Sequence, residues 1–110
     1  MEIKNNEINI NMKYKIKPFL IDESNKYGVL FDEIMELSLN SINGIIEDMD
    51  NVFSGKYNAS SFSGNLAIVD FDSKITHISH FDELIGEKNT LDIYNMLKKY
   101  RDKLVEYEKE

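Results

Sequence analysis

The chain has 110 residues, 42% apolar and 11% aromatic, enough for one domain over residues 1–110 with a real core and too apolar for disorder. Its 20 acidic side chains outnumber 13 basic ones, and the resulting charge of -7 disfavours nucleic acid and anionic membranes while favouring a basic partner. No cysteine means no disulfide, thiolate metal site or cysteine nucleophile, and with neither a signal peptide nor a long apolar run to read, a cytoplasmic location is expected.

In chain order, Ile8, Ile10, Met12, Tyr14 and Ile16 alternate with polar residues, the period of a half-buried strand. Pro18 lacks an amide donor and predicts a sheet edge, followed by extended chain through Phe19, Leu20 and Ile21 and a polar turn from Asp22 to Tyr27. From Val29 to about Phe53 the apolar spacing becomes helical. Leu30, Phe31, Ile34, Met35, Ile42, Ile45, Ile46, Met49 and Val52 fall in a stripe of roughly 200°, wide enough to need cover from more than one element. The breadth of that stripe also leaves a homodimer open. Asp32, Glu33, Glu36, Glu47 and Asp50 occupy the rest of the wheel. The segment from Asp22 to Asp50 carries -7, equal to the whole excess. One long acidic helix face is therefore expected.

Ser54 to Gly64 is small and polar and reads as a loop, with Gly55 placed as the residue after the helix end. Asn65 to Phe71 predicts a central strand covered on both sides, Asp72-Ser73 a tight turn, and Lys74 to Phe81 the returning strand of a hairpin. Asp82 to Asn89 reads as a polar connection. Thr90 is then the N-cap of a last helix, with Asp92 complementing its dipole and Ile93, Leu97, Tyr100, Leu104 and Tyr107 forming its apolar stripe. The expected class is α+β: a small antiparallel sheet packed with a long amphipathic helix and a C-terminal helix, in the order β-α-β-β-α.

Catalytic constellations are weakly supported by these residues. His77 and His80, three apart on a strand, point to opposite faces and suit a metal only across a bulge. Asp70 and Asp72 share a strand face and invite a carboxylate-pair reading, but aspartates at hairpin ends more often make local turn hydrogen bonds. Gly55-Lys56 follows a helix rather than a strand and lacks the Ser/Thr of a phosphate loop, and no serine lies in a nucleophile elbow. No enzyme, metal or cofactor is expected. The acidic helix face is either solvated or an interaction surface for a basic protein, where complementary charge raises association rates and selects partners.

The run Asn51-Val52-Phe53-Ser54-Gly55, the turn Phe62-Ser63-Gly64-Asn65, the strand through Ile75 and Ile78, and the final helix opened by Thr90-Leu91 together resemble small bacterial immunity proteins. The likeness is to the antidotes of contact-dependent growth inhibition and other polymorphic-toxin systems. It extends from Pro18 to Leu104, with Ser54-Gly55 and Ser63-Gly64-Asn65 as its sharpest points. The resemblance implies a cytoplasmic antidote that binds one cognate toxin domain, often a ribonuclease, covers its active site or substrate surface, and performs no catalysis. It carries over no interface residues. The residues themselves offer Glu33, Glu36, Glu47 and Asp50 on the helix, with Asp70, Asp72, Asp82 and Glu83 near the hairpin, as the toxin-binding set. An acidic adaptor or regulatory binding module unrelated to toxins is the alternative.

Overall fold

The computed structural model describes residues 19–23, 25–65 and 67–109. The strand expected over Ile8 to Ile16 and the edge at Pro18 lie outside the described residues. Residues 19–23 and 25–27 form α1, followed by α2 (Val29–Met35) and α3 (Leu39–Phe53). Four strands come next, β1 (Ser60–Ser63), β2 (Ile68–Phe71), β3 (Ile75–His80) and β4 (Glu83–Asn89), and then α4 (Thr90–Lys109). The strands make one antiparallel sheet in the order β1-β2-β3-β4, so the class is α+β with consecutive hairpins.

All four described helices contribute to a single core with one face of the sheet. Leu30, Phe31 and Ile34 of α2, Ile42 and Met49 of α3, Val69 of β2, and Ile93 and Leu97 of α4 are fully buried in it. Most of the wide apolar stripe read across Val29 to Phe53 is thus covered within the chain itself, with Met35 left 37% exposed.

Several expectations are corrected. Residues 19–27 are helical rather than extended and turned. Phe19 stacks on Tyr100 with centroids 6.3 Å apart and meets Phe31 edge-on at 6.1 Å, so long-range aromatic packing outweighs the local turn preference of Asp22 to Tyr27. The helix expected from Val29 to Phe53 is two helices. At the end of α2 the Glu36 and Leu37 amides donate to carbonyls three residues back, tightening the last turn. Ser38 then opens α3, its Oγ accepting the Ser41 N–H at 3.2 Å, a cap that contributes about 1 kcal/mol in such positions. At the far end Gly55 takes φ 84 and donates to the Val52 carbonyl, as expected for the residue after a helix.

Within the predicted loop, Ser60–Ser63 pairs with β2. The segment predicted as a polar connection, Asp82 to Asn89, contains β4, which pairs with β3 and forms an edge of the described sheet. Strand β2 is central but covered on one side only: Val69 and Phe71 are buried, while Ile68 and Asp70 are exposed. Thr90 lies inside the fold rather than capping it. Its buried hydroxyl lies 2.8 Å from that of Thr76, and Asn89 Oδ1 accepts the Asp92 N–H at 3.3 Å instead.

Candidate functional site

Strand alternation divides the sheet into two unlike faces. Val69, Phe71, Thr76 and Ile78 point into the core, and the register then fixes what the other face carries. One transverse row runs Ser61–Asp70–His77–Glu87 across all four strands. The adjacent row runs Ser63–Ile68–Ser79–Leu84, and on the other side Ile75 is paired with Asn89. Ile68, Ile75 and Leu84 stand 45%, 43% and 55% exposed, far above the core residues of the same strands. His77 Nε2 lies 3.2 Å from Glu87 Oε1, so the middle row is polar, with a carboxylate on each side of the imidazole. A shallow depression of about 380 Å³ opens at the Asp70–His77 end of this face, floored by Ser61, Asp70, Asp72 and Ile75.

The two hairpin ends are built differently. At the β2–β3 turn Asp72 Oδ1 accepts both the Lys74 and Ile75 amides at 2.7 Å. These two backbone donations hold its carboxyl below the usual range, because they favour the ionised form. Asp72 is the turn-forming aspartate that its position suggested. At the β3–β4 end a two-residue link, Phe81-Asp82, joins the pair His80 and Glu83, and both link residues have positive φ, 50 and 65. Phe81 is 86% exposed there, with its ring 4.2 Å from that of His80.

The eight carboxylates proposed from the sequence do not converge. Glu33 is 1% exposed and is withdrawn from the surface: its carboxylate lies against the Gly64 Cα, in space a side chain at 64 would need. Glu36 is the exposed C-cap of α2. Glu47 and Asp50 sit on the exposed side of α3, in the helical layer, where Asp50 accepts the Tyr94 hydroxyl at 2.5 Å. That hydrogen bond pushes the Tyr94 hydroxyl above its ordinary value, since it favours the protonated phenol. The single acidic helix face is therefore not present, because the break at Ser38 separates Asp32, Glu33 and Glu36 from Glu47 and Asp50. Asp70 lies on the open sheet face, Asp72 at one hairpin end, and Asp82 and Glu83 at the other.

Sequence reasoning missed Glu87, Ile68, Leu84 and Phe81. Strand parity would have placed Ile68 beside Asp70. β4 was hidden because a register shift opposite Ile78 and Ser79 adds a residue and breaks its alternation.

His77 and His80 lie on opposite faces of β3, as their odd spacing requires. Among the described residues no group of three or more His, Asp or Glu side chains stands close enough to hold a metal ion. None of the described helices is long and apolar enough to cross a membrane. The class these observations define is an α+β domain in which, among the described residues, helices cover one face of a four-stranded sheet and the opposite face is exposed and partly apolar. Comparison with family models, curated proteins and solved structures finds no match to this chain.

Proposed function

We propose that this protein is a cytoplasmic immunity protein that binds and neutralises a cognate basic toxin domain, a nuclease by the resemblance of its turns and helix ends to such antidotes. The observation that carries the reading is the open sheet face, where exposed Ile68, Ile75 and Leu84 are set among Asp70, Asp72 and Glu87. A charged row flanked on both sides by exposed apolar side chains combines the two ingredients of a protein interface, apolar contact and charge that selects the partner. The charged row is acidic, with Asp70 and Glu87 on either side of His77, which selects a basic partner and speeds its approach. A nuclease surface, built to attract phosphates, has that charge. Inhibition then consists of covering, with no chemistry required of the antidote.

The test is co-expression with the protein encoded immediately upstream. Rescue of growth together with a complex that survives gel filtration supports the reading. Absence of both rescue and complex overturns it.

A further inference from the structure

The β3–β4 hairpin end has features that folding alone does not account for. Two-residue hairpin links with both φ values positive favour Asn-Gly or Asp-Gly, since bulky side chains are disfavoured in the left-handed region. Here the first link residue is Phe81, at φ 50 and 86% exposed. The position carries backbone strain and also holds a ring in water, returning one contact with the His80 ring. Strain of this kind persists at functional sites. The register shift opposite Ile78 and Ser79 leaves Leu84 and Ile85 of the neighbouring strand at 55% and 46% exposure, so three large apolar side chains are presented close to one end of the sheet. From Ile75 to Glu87 the chain has three carboxylates, Asp82, Glu83 and Glu87, and neither lysine nor arginine.

We infer that Phe81 is the anchor of the interface, entering an apolar pocket on a basic protein partner while Asp82 and Glu83 pair with cationic side chains at the pocket rim. The inference rests on the antidote reading and specifies how its partner is recognised. Exposed aromatic side chains that become desolvated in a partner's pocket dominate binding energy at interfaces, and rim charges act chiefly on the association rate. The adjacent carboxylates argue against insertion into an anionic bilayer, because they would repel its headgroups.

Phe81→Asn separates binding from folding, because asparagine tolerates positive φ. Its melting temperature is expected to equal or exceed that of the wild type. The complex with the upstream-encoded toxin domain should then dissociate about 30-fold faster or more. Paired Asp82→Asn and Glu83→Gln substitutions should instead slow association and flatten its salt dependence. A Phe81→Asn protein that melts lower, or that holds the domain as tightly as the wild type, overturns the anchor while the wild-type complex leaves the antidote reading standing. Phe81-dependent sedimentation with phosphatidylcholine or phosphatidylserine vesicles, or a Phe81-dependent dimer of this chain, assigns the side chain to another occupant and also overturns it. A wild-type chain that forms no complex with the domain overturns both.

Discussion

Among the glycines, Gly64 is the one whose replacement by alanine should clash with a neighbour and destabilise the fold. The new Cβ would occupy the space of the Glu33 carboxylate, the end of a flexible side chain whose retreat is limited by its burial at 1% exposure. The Gly64 amide is tied to the Ala67 carbonyl at 3.1 Å, at the turn between β1 and β2. Glu33 is 1% exposed on α2, flanked in the same helix by fully buried Leu30 and Ile34. Inserting a methyl into a filled interior costs about 1–3 kcal/mol. A cost in the middle of that range, about 2 kcal/mol, is expected. At about 4–8 °C per kcal/mol for a domain of this size, the melting temperature falls by roughly 8–16 °C. Urea titration followed by circular dichroism measures the loss, with an unchanged slope if the unfolded state is unaffected. The mechanism is exposed by a double-mutant cycle. With Glu33→Ala already in place the methyl has room, so Gly64→Ala should then cost at least about 1 kcal/mol less than in the wild type. A Gly64→Ala protein within about 0.5 kcal/mol of wild type, or costs that simply add, would refute the packing of Glu33 on Gly64.

Two further predictions concern the hydrogen bonds that set the strands. Thr76→Val leaves the buried Thr90 hydroxyl without its 2.8 Å partner and should cost about 1–3 kcal/mol, whereas Thr76→Val with Thr90→Val should recover part of that loss; a double variant worse than the sum counts against the pairing. The Asp72 carboxyl is held below its ordinary value by the Ile75 and Lys74 amides, so its contribution to stability is complete above about pH 4 and is lost as pH falls through the folded-state value. Asp72→Asn should remove this part of the acid limb of the stability profile, and indistinguishable acid limbs in variant and wild type would show that the turn hydrogen bonds do not couple to folding.

What the sequence determined on its own is what local periodicity can encode. Apolar residues three and four apart announced the helical cores of α3 and α4, β-branched residues around Asp72-Ser73 announced the β2–β3 hairpin, and Gly55 marked the end of α3. Together they suffice for an α+β domain. The acidic residues were legible as a charge but not as a surface, because the apolar spacing continues across Glu36 to Ser38 and conceals the break there. Tertiary structure alone decided the remainder. β1 is a strand because its backbone groups pair with β2, a property its serines do not display. α1 is helical because Phe19 reaches Phe31 and Tyr100. Glu33, polar by composition, is buried because a glycine thirty-one positions later leaves room for it. The candidate site is the clearest case. Asp70, His77 and Glu87 come from three strands and meet only through sheet register, and Phe81 stands out only through its exposure and the sign of a backbone angle. Hydrophobic period records which way each residue faces along its own element, while register, burial and strain arise between elements distant in the chain.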